Sequence, residues 1–143
     1  MKHELIEIKD YEQQGFMPLI SFGTWRVAAL RFLEDLKPEN LKTMERHSET
    51  DEVFILVKGS GMLLVGGNHE EPNGIQSFIM KIGEVYNVKQ NTWHSISLTK
   101  DAHVIIVENE NTNAINSEIA LLNENDRLYT RDIVSTFLNK IKE

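Results

Sequence analysis

The chain contains no cysteine. That excludes disulfides, thiolate nucleophiles and thiolate-bound zinc, and it fits a reducing compartment. No apolar run approaches the roughly 20 residues a membrane-spanning helix requires. The opening stretch MKHELIEIKDYEQQG is charged throughout and holds no apolar core of signal-peptide length, so a cytoplasmic location is expected. Positive charge is also scarce: 15 Lys and Arg face 22 Asp and Glu, for a net charge of −7. Without a basic stripe, neither nucleic acid nor an anionic membrane surface is an expected partner. Prolines number only three, and neither a linker nor an internal repeat interrupts the 143 residues, so one domain over 1–143 is expected.

What the chain does have is a series of short apolar runs separated by turn residues. TWRVAALRF (24–32), EVFILVKG (52–59), GMLLVGG (61–67), QSFIMKIG (76–83), EVYNV (84–88), HSISL (94–98) and AHVIIVE (102–108) read as strands. Gly59-Ser60-Gly61, Gly66-Gly67-Asn68, Pro72-Asn73-Gly74, Gln90-Asn91 and Lys100-Asp101 lie between them with turn chemistry. Strands so short and closely spaced point to an antiparallel sandwich or barrel over about 24–110, not to βαβ units. The glycine pairs open no helix and therefore cradle no phosphate.

The tail, about 124–142, has a different period. Val134, Phe137, Leu138 and Ile141 stand at i, i+3, i+4 and i+7 and form one apolar helix face, for which Thr130 offers an N-cap. Such a helix packs on the outside of the sheet or on a second subunit. Residues 38–46, PENLKTMER, also contain helix formers behind Pro38, leaving helix open as far as about residue 44 before an extended strand at 47.

Chemistry concentrates in two places. Residues 45–61, ERHSETDEVFILVKGSG, set Glu45, His47, Glu49, Asp51 and Glu52 directly before an apolar strand. Residues 83–98, GEVYNVKQNTWHSISL, carry His94 at the start of another. In a strand, alternate side chains share a face, so Glu45 with His47, and His94 with Ile96 and Leu98, point together. Inside a barrel, inward positions from separate strands converge. Two imidazoles and one or two carboxylates form a donor set suited to Fe(II), Mn or Zn. The bland alternatives are a solvated acidic turn for residues 45–52 and a satisfied core residue for His94. Among the other histidines, His3 is terminal, His69 falls in the polar loop 66–74, and His103 lies on the last strand with no facing assigned. Arg26 and Arg31 on the first long strand read as structural partners of the surplus carboxylates, or as anion-binding groups inside the barrel.

The two stretches together resemble the paired motifs of small single-domain cupins, the RmlC-like jelly rolls. The first, G-x5-H-x-H-x3,4-E-x6-G, is matched by His47, Glu52 and Gly59, with Glu45 at the first histidine position and Glu39 at the opening glycine. The second, G-x5-P-x-G-x2-H-x3-N, is matched by Gly83 and His94, with Lys89, Asn91 and Leu98 replacing the proline, the second glycine and the asparagine. Asn91 tolerates a left-handed turn, whereas Leu98 makes for a greasier pocket floor. The resemblance implies an all-β, antiparallel double-stranded β-helix with the C-terminal amphipathic helix attached. It also implies a divalent metal (Fe, Mn, Zn or Ni) held by Glu45, His47, Glu52 and His94, a small-molecule ligand, and a homodimer. The chemistry it implies is of isomerase, lyase or dioxygenase type. Two alternatives stay open, both sharpened by the missing first histidine: a metal-free epimerase or isomerase using His and Glu as acid and base, and a non-catalytic small-ligand module.

Overall fold

A computed structural model describes residues 5–142. Its chain order is β1 (Gly15–Phe22), β2 (Trp25–Arg31), β3 (Thr43–His47), β4 (Glu52–Lys58), β5 (Gly61–Val65) and β6 (Gln76–Ile79). It continues with β7 (Val85–Val88), β8 (His94–Leu98), β9 (His103–Asn109), β10 (Ser117–Leu121) and one long helix, α1 (Glu124–Lys142). The strands form two five-stranded sheets, ordered β1-β2-β9-β4-β7 and β10-β3-β8-β5-β6, and every pairing is antiparallel.

The period-2 pattern decides which side chains meet between the sheets. On β4, Glu52, Phe54 and Leu56 are buried while Val53 and Ile55 are only half-buried; β9 repeats this with Val104, Ile106 and Glu108 inward. Phe54, Leu56, Leu63, Ile96, Val104 and Ile106 form the centre of the interior core. The polar members Glu52, His94 and Glu108 continue the same inward rows at one end of the strands.

A second core lies on the outer face of the β10-β3-β8-β5-β6 sheet, where Val134 and Phe137 of α1 pack against Met44, Met62, Leu64 and Trp93. The helix therefore takes the first of its two expected positions. Its start corrects the sequence reading. Asn123, not Thr130, is the cap, its Oδ1 accepting the backbone N–H of Asp126 at 2.8 Å. Thr130 is fully buried within the helix. No helix among the described residues is long and apolar enough to cross a membrane.

Other boundaries also move. Residues 34–40 form two short 3-10 turns, Glu34–Leu36 and Pro38–Asn40, so the helix left open to residue 44 is absent and β3 is extended from Thr43. The expected strand to residue 83 stops at Ile79. β1 and β10 carry no alternation that identifies them in the sequence. Both are edge strands, and β1 contains Pro18 beside a register shift, a place where a missing N–H is tolerated.

Candidate functional site

Two backbone features aim the histidines. Asn91 has φ +63°, the one non-glycine among the described residues in the left-handed region, and its N–H donates to the carbonyl of His47 at 2.8 Å. That turn joins β7 to β8 and ties the start of β8 to β3, where Glu45 and His94 are register partners. Gly59, the last motif position of the first stretch, has φ +75°. A Cβ there would lie 2.6 Å from the Cα of Ala102, so the turn after β4 admits no side chain.

The structure brings all four sequence-selected residues together. Glu52 Oε1 lies 3.1 Å from His47 Nε2 and 2.9 Å from His94 Nε2. Glu45 Oε1 is 3.6 Å from His47 Nε2, and the two imidazole centroids are 5.3 Å apart. His47, Glu52 and His94 are buried, whereas the Glu45 side chain is 47% exposed at the cavity wall. Glu49 and Asp51, the competitors of Glu52, face elsewhere. Asp51 accepts from Asn87 and the Gln90 backbone, and Glu49 accepts from Asn111.

The far side of each ring is also held. His94 Nδ1 donates to the carbonyl of Thr92 at 2.9 Å, which fixes that tautomer and turns Nε2 to the centre. His47 Nδ1 meets Ser117 Oγ at 2.7 Å, on β10. Outer partners of this kind set the orientation of imidazole ligands in metal sites.

Sequence reasoning missed Glu108. It is buried, and one of its oxygens lies within 4.8 Å of ligand atoms of both His47 and Glu52. Arg26 holds it, donating from Nε at 3.1 Å and Nη2 at 2.7 Å to Glu108 Oε2, and from Nη1 and Nη2 to the carbonyls of Glu110 and Thr112. Arg26 is thus the structural partner of a carboxylate, the first of its two expected roles. A signal for Glu108 existed, since it shares strand parity with Val104 and Ile106. Arg31 lies on the opposite face, near Tyr11 and Glu12.

These groups line a cavity of about 730 Å³ whose floor is Leu30, Phe54, Ile96 and Ile106. Leu98, expected on that floor, packs in the same core but does not line the cavity. His69 sits in an exposed loop, where its carbonyl accepts from Arg46 and Trp93; His103 faces outward from β9; His3 lies outside the described residues.

Electrostatics follow from this packing. Burial pushes the Glu52 carboxyl up, but the hydrogen bonds from His47 and His94 and the charge on the rings outweigh it and bring it down to about 2. Burial likewise pushes both imidazoles down, and the Glu52 hydrogen bond and charge carry both above their ordinary value. Burial, then the Glu52 charge, raises Glu108 against the pull of Arg26. The two raised histidines stabilise the metal-free fold fully below about pH 6.5 and lose that contribution as pH rises through their folded values. The lowered Glu52 stabilises above about pH 4.5 and loses that contribution as pH falls toward 2. In chelator, the melting temperature is therefore expected to be higher near pH 5.5 than near pH 8.5. Equal melting at both values in a thermal scan would show that the three groups are not coupled.

Comparison with solved structures gives the class first: the neighbours are cupin-type barrels. CapF of Staphylococcus aureus, a capsular polysaccharide assembling protein, superposes with a TM-score of 0.56 at 17% identity over 76% of this chain and 32% of its own. This chain thus spans about a third of CapF. KdgF from Halomonas sp. gives 0.52 at 14% identity, over 70% and 81% of the two chains. Pac13 of Streptomyces, described as a nucleoside dehydratase, gives 0.53 at 10% identity, over 78% and 83%. At these identities the likeness is one of fold. No curated protein sequence matches the chain. The sequence model of the ureidoglycolate lyase family matches residues 3–127, and the chain belongs to that family.

Proposed function

We propose that this protein is a small-molecule lyase of the cupin type that holds one divalent cation between Glu45, His47, Glu52 and His94. The observation that supports the reading is the convergence of Nε2 from both rings on one oxygen of Glu52, with each Nδ1 engaged behind. Metal-free, such a cluster holds protons between the rings and the carboxylate. A cation of the Fe(II), Mn, Zn or Ni kind finds two nitrogens and two carboxylates in their place. Glu45 supplies an oxygen where the resembled motif has a histidine, so the donor set is hardened but keeps its count. When bound, the ion would polarise a substrate oxygen.

The remaining work falls to the chain itself. Leu30, Phe54, Ile96 and Ile106 exclude water from the cavity floor. Glu108, buried beside the cluster and anchored by Arg26, is placed to hold or release a proton at a carboxylate oxygen. Among the described cavity-lining residues Arg26 is the one permanent cation, and its Nε and Nη2 are engaged by Glu108. An anionic substrate therefore depends on the bound ion for its charge partner.

By family, the first compound to assay is ureidoglycolate. Untagged protein prepared without chelator is expected to carry close to one divalent ion per chain by elemental analysis and to break the C–N bond of ureidoglycolate, releasing glyoxylate and urea in equal amounts. Absence of metal after reconstitution with Fe(II), Mn, Zn and Ni would overturn the metal reading. Activity persisting in chelator would then favour acid–base chemistry by Glu52 and the histidines alone.

A further inference from the structure

The cavity is charged at one end only. Glu45, His47, Glu52, His94 and Glu108 gather there from β3, β4, β8 and β9, and the wall beyond them is largely apolar. β10 lies in register with β3, setting Ser117 opposite His47, Ile119 opposite Glu45 and Leu121 opposite Thr43. Directly paired residues share a face, so Ile119 and Leu121 extend the inward row that Ser117 begins. On the facing sheet Phe16 of β1 is the register partner of Leu30 and lines the cavity with it. Ile119 is 70% exposed and Phe16 40%, although both lie on inward faces. An apolar cleft thus opens from the cluster, bounded by the edge strands β1 and β10, with Leu30, Leu36 and Ile96 along its walls.

We infer that the substrate is an α-hydroxy acid whose leaving nitrogen carries an apolar acyl chain, the acid end at the cluster and the chain in this cleft. The inference rests on the lyase reading above and names the substrate class of that same site. Volume supports it. The cavity of about 730 Å³ falls within the roughly 300–1,000 Å³ that encloses drug-sized ligands, and ureidoglycolate leaves most of it unfilled. Hydrogen-bonding capacity points the same way. Thr112 Oγ1 donates to the Asn109 carbonyl, and the Asn113 side chain is engaged by the Ile115 N–H and the Asn111 carbonyl. Ser117 is held by His47. A terminal urea amide in the cleft would give up hydrogen bonds to water without replacing them, whereas an alkyl chain gives up none. Such a chain also covers Ile119 and Phe16, removing apolar surface from water on both partners.

The step balances without a co-reactant. The C–N bond breaks and its electron pair goes to nitrogen, while the electron pair of the hydroxyl O–H bond becomes the second bond of the new carbonyl. The proton passes from that oxygen to the nitrogen, a transfer for which Glu108 is placed at the charged end. The products are glyoxylate, left at the cluster, and an aliphatic amide, left in the cleft.

The test is calorimetric binding of glycolate, α-hydroxybutyrate, α-hydroxycaproate and α-hydroxycaprylate, which carry no leaving group, to the metal-loaded full chain. Affinity is expected to rise about 3-fold per added methylene as far as α-hydroxycaproate. Ile119→Gln and Phe16→Thr, at exposed positions on edge strands, are each expected to cut the gain at α-hydroxycaproate ~5-fold or more with an unchanged far-UV spectrum. N-hexanoyl-α-hydroxyglycine is expected to be cleaved to glyoxylate and hexanamide with kcat/KM ~10-fold or more above that for ureidoglycolate. A flat or absent series, or N-hexanoyl-α-hydroxyglycine cleaved no faster than ureidoglycolate, overturns this inference; cleavage of ureidoglycolate itself decides the lyase reading separately. A rise that neither variant lowers places the chain outside the cleft and overturns it too. A rise that persists in chelator and falls in Ile119→Gln supports the cleft while the metal reading fails.

Discussion

His94→Ala is expected to lower the affinity for divalent metal by about 100-fold or more and to remove activity with it. Loss of an outer-shell partner alone typically costs about 10–100-fold in affinity or activity, and the proposed site makes His94 a donor in its own right. Its Nε2 is 2.9 Å from Glu52 Oε1, and its ring lies edge-on to Phe54 with centroids 6.0 Å apart, so both its position and its orientation are fixed by the packing. Glu45→Ala, at the half-exposed wall, is expected to cost less, because water can take that position. Titration calorimetry on apo-protein reads both variants, and a normal far-UV spectrum separates ligand loss from misfolding. Wild-type affinity in His94→Ala would remove His94 from the donor set.

Arg26→Ala is expected to destabilise the fold by about 3–5 kcal/mol, the usual effect of stranding one member of a buried ion pair. In a chain of this length that is a fall of roughly 10–15 °C in melting temperature. The Glu108 side chain is 3% exposed and sits within 4.8 Å of ligand atoms of Glu52 and His47, so without Arg26 its charge is left beside a second carboxylate with no guanidinium to offset it. The guanidinium also satisfies the Glu110 and Thr112 carbonyls and lies 5.4 Å from the Phe16 ring centroid. Exchanging both partners, Arg26→Met with Glu108→Leu, is expected to restore much of the stability. If Arg26→Ala melts with the wild type, the pair is not a structural tie.

The inward-facing chemistry was legible in the sequence because two independent regularities agreed on it. Strand parity put Glu45 with His47 and His94 with Ile96, and the spacing to Gly59 chose Glu52 over Glu49 and Asp51. Glu108 obeyed the same parity but lay outside both motifs, so nothing drew attention to it. β1 and β10 escaped because an edge strand buries little and needs no strict alternation; Ile119 and Leu121 of β10 are 70% and 77% exposed. Thr130 is a good capping residue in isolation. The helix begins earlier because Asn123, an equally good cap, accepts the Asp126 N–H, and Leu122 and Val134 hold that start in the outer core.

The bond from the Asn91 N–H to the His47 carbonyl has a wider meaning. It belongs to the main chain, as does the pairing of Glu45 with His94, so the distance between the two donor strands is indifferent to which side chains project from them. A lineage built on this frame can trade one inward side chain for another, glutamate at position 45 included, without rebuilding the hollow. Chemical turnover is thereby uncoupled from architectural change.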